Sequence, residues 1–243
     1  LNGKKTLVLN GSSAEKFIVS AKTDNNSNDF TLFIIESDDE KLEGYEYPLI
    51  DGSRALDLRL NDLEVGPESV LGTINRGSFL VDRVIDHANA AICAETVGIM
   101  TKLHQMTLNY LKTREQFGNI LGRFQVLQHR AVDMYVKLEQ ARSMSIMAAG
   151  HVNSNDSNLR KKMITAAKEF IMRVGIELSH EAIQLHGGMG MANEMPVGTY
   201  FKRLKMLDLI FGDSNFQRSI FSKIDNINVV EDFHKPSKLW KKI

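Results

Sequence analysis

The sequence is poor in cysteine, in proline and in net charge, and each shortage closes off a class of protein. One cysteine among 243 residues, Cys93, cannot form an internal disulfide, and no CxxC or Cys/His spacing suggests zinc, so no metal is expected. Thirty basic residues against thirty acidic ones leave no net charge, so nothing favours a nucleic-acid backbone or an anionic membrane as the partner. No apolar run approaches the roughly 20 residues that span a bilayer, and the chain reads as soluble. Its first nine residues read as a strand without a secretory pattern, and they start at Leu1 instead of a methionine, as in a trimmed chain.

What is present falls into two regimes. The four prolines are spaced so that none lies between Pro67 and Pro196. Before that gap the chain reads as short strands at 6–9, 16–21, 30–36 and 55–60. They are separated by turn-forming residues at Asn10-Gly11, at 24–28 and at Asp51-Gly52. This is a small antiparallel β unit over residues 1–74. After Gly77 apolar residues recur at three- and four-residue steps, as in Leu127, Ala131, Met134, Leu138 and Ala141. Helices are predicted over 78–112, 124–151 and 158–185, with a fourth beginning near Pro196, a residue favoured in a first turn, and broken at Gly212. The chain thus reads as α+β, a partial antiparallel β domain followed by an antiparallel four-helix bundle over 75–228. Residues 229–243, with Trp240, read as a tail that wraps a neighbour or frays.

Two segments carry chemistry. Arg114-Glu115-Gln116-Phe117-Gly118 sits between the first two helices, and Gln184-Leu185-His186-Gly187-Gly188 ends the third. A guanidinium meets phosphate oxygens in pairs, and glycine lets backbone approach a ligand, so the two together suit a polyanion. The blander reading makes Arg114 a cation at a helix C-terminus and Phe117 a core residue.

These segments, with Phe124-Gln125, Ala131-Val132-Asp133-Met134 and the late Arg218, resemble the acyl-CoA dehydrogenase family over nearly the whole chain. Residues 92–98 and Phe211-Gly212-Asp213 look like its pimeloyl-CoA-dehydrogenase-like branch, some of whose members are built from two different subunits. The resemblance implies a three-part fold of which this chain holds part of the middle β domain and the C-terminal bundle. It also implies FAD as cofactor, gripped across a subunit interface in a homo- or hetero-oligomer, a dimer or tetramer. Carried over by position, Arg114 meets the pyrophosphate with Gln116 beside it. Phe117, Phe124 and Leu127 pack around the adenosine end, Gln184 and Gly188 supply polar and backbone contacts, and Asp213 and Asn215 approach the cofactor from the late turn. The implied reaction removes two hydrogens from an acyl-CoA and passes electrons to an electron-transfer flavoprotein. Bacterial cytoplasm is the implied compartment, with the mitochondrial matrix as alternative.

The chain also departs from the family. Both positions at which the family carries its catalytic glutamate hold inert residues here, Phe211 and Ala88. Glu95 is the substitute, a lone acid in an apolar stretch that is expected to be desolvated and so poised as a base. Its other roles are a contact to a polar substrate group or a structural ion pair. Asp213 is a second candidate acid, better read as a helix N-cap. Leu7 and Leu9 stand where many members place a tryptophan and a threonine against the flavin. His186 and His129 read as packing or capping residues, and His104 as solvated. Against the enzyme stand two other readings: a non-catalytic subunit that keeps the FAD-binding surface, and a helical interaction module with no ligand.

Overall fold

A computed structural model describes residues 1–24 and 27–224. The tail at 229–243 therefore lies outside the described residues. Chain contacts divide it into two compact units, Leu1–Ile85 and a second that begins at Asp86.

The first unit is built from two small antiparallel sheets. One has the order β1 (Gly3–Leu9), β5 (Arg54–Leu60), β4 (Leu42–Pro48), and the other the order β2 (Lys16–Ala21), β3 (Thr31–Glu36), β6 (Val70–Leu71). Period-two alternation sends Phe17 and Val19 of β2 and Leu56, Leu58 and Leu60 of β5 into one shared core, while Ile18 stays 64% exposed. The sequence misses β4 for a physical reason: it is an edge strand bonded only to β5 and buries none of its residues fully, so it needs no apolar face. The expected strand at 6–9 is longer, Gly3–Leu9, and carries a bulge between Lys5 and Val8, where Leu7 takes φ 56° and stands exposed.

The first bundle helix, α1 (Gly77–Thr113), runs 37 residues. Its start is fixed from outside the helix: Asp29 accepts from the Ser78 amide at 3.1 Å and its hydroxyl at 2.7 Å, which holds the Asp29 carboxyl below its usual range. The expected second and third helices are α2 (Gln125–His151) and α3 (Ser157–His186). Asp156 caps α3 by accepting from the amides of Asn158 and Leu159, both at 3.0 Å. The fourth helix is split as expected at Gly212, into α4 (Val197–Leu209) and α5 (Ser214–Ile224).

Helix α3 is the axle of the bundle. Its buried residues, among them Ile164, Ala167, Ile171, Val174, Leu178 and Ala182, cover more than one face because α2, α4 and α5 all pack on it. Gly175 lets α1 come close, since a Cβ there would lie 3.1 Å from the Thr96 methyl. Two polar links tie α1 to α3 through this dry interior. Arg160 Nε donates to Asp86 at 2.8 Å with both side chains 6% exposed, and Lys168 Nζ donates to Asn89 at 3.0 Å.

His104 departs from expectation. It is 8% exposed, bonds the Ala131 carbonyl at 3.3 Å and tilts against Tyr135; desolvation holds its pKa below the ordinary histidine value. Its helix face points at α2 and not at solvent.

Asp86→Ala would leave the Arg160 guanidinium buried without its carboxylate, and a broken buried pair costs about 3–5 kcal/mol. Urea unfolding should show a lower midpoint with unchanged slope; a midpoint within error of the parent would mean the pair contributes nothing.

Candidate functional site

The two chemistry-bearing segments meet. Arg114, Gln116 and Leu127 line one cleft of about 500 Å³ together with Gln184, Gly187 and Gly188. Tyr110, Arg130 and His186 also line it.

One wall is the turn out of α1. The Arg114 amide still donates to the Tyr110 carbonyl at 2.9 Å, prolonging the helix by one residue, and the Arg114 carbonyl accepts from Leu121 at 2.8 Å. Between them lies a tight hairpin, β7 (Glu115–Gln116) paired with β8 (Asn119–Ile120). Its tip residues Phe117 and Gly118 both have positive φ, 55° and 71°, the backbone of a two-residue turn that matches strand twist. Glycine adopts this freely, while a bulky side chain there is strained. The backbone of Arg114 is thus fixed on both sides. Its guanidinium has no hydrogen-bond or ion-pair partner among the described residues.

The other wall is the end of α3. Gly187 stops the helix at φ 57°, ψ −141° and donates its amide to the Gln184 carbonyl, a conformation open essentially to glycine alone. A Cβ added at Gly187 or Gly188 would meet nothing within 4 Å, so both face open space. Gly190, two residues on, is different: a Cβ there would lie 2.4 Å from the Ile183 carbonyl oxygen, so only glycine lets the turn fold back on its helix.

The walls are braced by a ring stack. Tyr110 of α1 lies against His186 of α3 with centroids 4.5 Å apart and planes 29° from parallel. His186 Nδ1 donates to the Ala182 carbonyl at 2.7 Å, which leaves Nε2 as an acceptor, buried and without a partner among the described residues. Neither brace was singled out in the sequence as a site residue, although Tyr110 stands one helical turn before Arg114 and so shares its face. Arg130 was also missed. It is held by Glu181 at 2.7 Å, so its charge is already partnered.

The remaining sequence-selected residues fall elsewhere. Phe117 is not core: its ring is 86% exposed, edge-on to Phe124 at 6.3 Å, and neither ring lines the cleft. Asp213 accepts from the Phe216 amide at 2.7 Å and so caps α5, with Asn215 exposed in its first turn. Arg218 bonds Glu169 of α3. Glu95 is not desolvated. Its carboxylate is gripped by Arg203 of α4, at 2.6 and 3.1 Å, with the side chain 42% exposed. The helix turns Cys93 and Thr96 inward and leaves Glu95, like Ala94 before it, on the exposed face.

Comparison with known proteins gives the same outline. The sequence model described as "Acyl-CoA dehydrogenase, C-terminal domain" matches residues 75–224. A mitochondrial isovaleryl-CoA dehydrogenase of Solanum tuberosum is 32% identical over 233 residues, 92% of this chain and 55% of that protein. The chain thus spans just over half the length of the curated relatives it matches. Among solved structures, butyryl-CoA dehydrogenase from Megasphaera elsdenii superposes with TM-score 0.85 at 26% identity, covering 92% of this chain and 59% of the other. A PigA structure with FAD and proline does so with TM-score 0.85 at 27% identity, covering 92% and 59%. No described helix is long and apolar enough to cross a membrane.

Two glycines test the geometry in opposite directions. Gly190→Ala forces a methyl into a backbone carbonyl and should destabilise by about 1–3 kcal/mol. Gly98→Ala, at an open helical position with nothing within 4 Å, should stabilise by about 1 kcal/mol. Thermal melting reads both, and shifts of the same sign would discredit the close approach at Gly190.

Proposed function

The chain belongs to the acyl-CoA dehydrogenase family, and from that membership we propose that it is part of an FAD-dependent enzyme that removes hydrogens from Cα and Cβ of an acyl-CoA thioester. The observation that supports this most is the single cleft shared by an unpartnered guanidinium and two unobstructed glycines.

The cleft fits a dinucleotide. Arg114 offers paired donors at charge-assisted strength to a pyrophosphate, Gln116 and Gln184 add amide donors and acceptors, and the backbone at Gly187 and Gly188 admits phosphate at close range. Leu127 and the Tyr110–His186 stack supply an apolar wall. The unpartnered Nε2 of His186 stands beside that wall as an acceptor in want of a donor. Phe117, with Phe124 behind it, presents its ring away from this protomer, which suits a cofactor shared with a second protomer in a dimer or tetramer. Asp213 and Asn215 belong to the same proposal as contacts from the α5 end. FAD, when bound, supplies the hydride acceptor, and an electron-transfer flavoprotein is the expected outlet for its electrons, in bacterial cytoplasm or mitochondrial matrix.

Proton removal from Cα needs a base, and here the chain offers little. Ala88 and Phe211 carry no ionisable group, and Glu95 acts as base only if it leaves Arg203. This favours a second reading, in which the chain is the FAD-interface subunit of a heteromeric dehydrogenase and a partner subunit carries the chemistry.

Arg114→Ala should weaken FAD binding by about 10- to 100-fold, the loss of bonds to a charged group worth about 1.5–3 kcal/mol, with Arg114→Lys in between because a lysine keeps the charge but not the fork. Flavin fluorescence titration of the apoprotein measures this. An unchanged Kd in Arg114→Ala would falsify the cofactor assignment. Flavin bound only after mixing with a second dehydrogenase-like subunit would select the heteromeric reading over the self-contained enzyme.

A further inference from the structure

The break between α4 and α5 is held more tightly than a surface turn requires. Residue 211 sits in the left-handed region at φ 57° and Gly212 follows at φ 94°, so Phe211 is a bulky residue in a backbone well that sterics disfavour. Its ring is 44% exposed, so burial of that ring is not what fixes the conformation. The neighbours do. Three consecutive carbonyls of the turn are each taken by a buried side chain: Ile210 by Lys168 Nζ, Phe211 by Gln217 Nε2 at 2.9 Å and Gly212 by the same amide at 3.2 Å. At the flanks Asp213 caps Phe216, and Asp208 accepts from Ser214 at 3.2 Å.

Lys168 is the unusual member. It is 0% exposed at the centre of α3, where a charge is costly unless it is hydrogen-bonded, and among the described residues its ammonium bonds two groups, Ile210 O on the turn and Asn89 Oδ1 on α1. One nitrogen therefore joins the turn that carries Phe211 to the stretch of α1 that carries Ala88, residue 88 being the neighbour of Asn89. The turn and that stretch of α1, distant in sequence, are joined by that amine. Strain held in place by surrounding bonds at an exposed side chain is the pattern of a site residue.

We propose that Lys168 is a positioning residue: its ammonium holds the 210–213 turn against Asn89 and so sets where the Phe211 ring stands. In the dehydrogenase reading this region is the wall of the acyl pocket beside the reacting carbons, and Phe211 is a shaping residue there. The inference rests on that reading only for what the turn faces; the hold itself is a property of this chain without flavin or substrate.

The hold depends on protonation. Burial pushes the Lys168 amine down to about 8, against the opposing charges of Asp208 on α4 and Asp213 on the turn, while Cys93 faces it from α1. Burial likewise pushes the Cys93 thiol up to about 12, so it stays uncharged through the same range. Below about pH 8 the turn is gripped by a cation. Above it the neutral amine makes the weaker, uncharged bond, and the strained turn is held less firmly at Ile210 while the Gln217 bonds stay.

Phe211→Trp, with Trp240→Phe to remove the background, reports on the turn by its emission in the full chain without ligand. The expected result is one transition with its midpoint near pH 8. It should be absent in Lys168→Met, which shows the high-pH spectrum throughout, and absent in Lys168→Arg, which shows the low-pH spectrum throughout because a guanidinium keeps its charge. A flat profile with Lys168 present, or a transition that survives Lys168→Met, would overturn the proposal. If Lys168→Met does not fold, the parent titration and Lys168→Arg still decide. Because neither flavin nor substrate is used, these outcomes stand apart from success or failure of the FAD titration.

Discussion

The stack of Tyr110 on His186 is the contact on which the cleft depends. Arg114 and Gln184 reach the same space only because the C-terminal turns of α1 and α3 are held side by side, and the two rings at 4.5 Å are what lies between them there. Aromatic pairs of this kind are worth about 0.5–1.5 kcal/mol beyond their buried area, a modest sum. Position matters more than size. The same imidazole is tied to the Ala182 carbonyl one turn before Gly187 ends the helix, so ring, helix end and glycine backbone are set together. Deeper in the bundle the α1–α3 relation is fixed a second time, by Asp86 with Arg160 and Asn89 with Lys168. A helix pair pinned at both ends has little freedom to widen the cleft between them.

Much of this was legible in the sequence, and what was not has specific causes. The helices of the bundle were readable because apolar periodicity and the lack of proline act over many residues, and both Gly187 and Gly212 mark real helix ends. The meeting of the Arg114 and Gln184 segments was legible from the family resemblance and not from spacing, since the two lie 70 residues apart. Glu95 misled because composition says how apolar a stretch is but not which way each residue turns; the helix put Cys93 and Thr96 inside and the acid outside, beside Arg203. His104 failed in the opposite direction for the same reason. Lys168 was invisible because a lysine amid ordinary helix formers reads as surface, and only tertiary packing shows it sealed in.

The dipeptide Phe-Gly occurs at two turns of the bundle, between α1 and α2 and between α4 and α5, and the backbone does the same thing each time. Phe117-Gly118 and Phe211-Gly212 take φ of 55° and 71°, then 57° and 94°. Glycine in second place allows the turn, while phenylalanine in first place resists it, so in each case the surroundings must overrule the aromatic residue. At the hairpin the β7–β8 pairing and the Leu121–Arg114 bond do so. At the helix break Gln217 and Lys168 do. Both rings end up exposed. A bulky residue is placed in a strained conformation and pointed outward in two independent turns, which is hard to reconcile with a chain that meets nothing.

The electrostatics of the cleft sharpen the role of Arg114. Two helices, α1 and α3, bring their C-termini there, and each such end carries roughly half a negative charge, so the bare fold repels a phosphate. Arg130 does little to offset this because Glu181 already holds it. The N-terminus of α2 helps, since no side chain caps it, although its Leu127 amide already bonds the Phe124 carbonyl at 2.9 Å. That pole is balanced against two of opposite sign. The guanidinium of Arg114 is therefore what makes the cleft attractive to an anion at all, and its removal would change the sign of the local field as well as delete a contact. An arginine kept only to quiet a helix end would have no need of the open glycines across from it; an arginine kept for a pyrophosphate would need both.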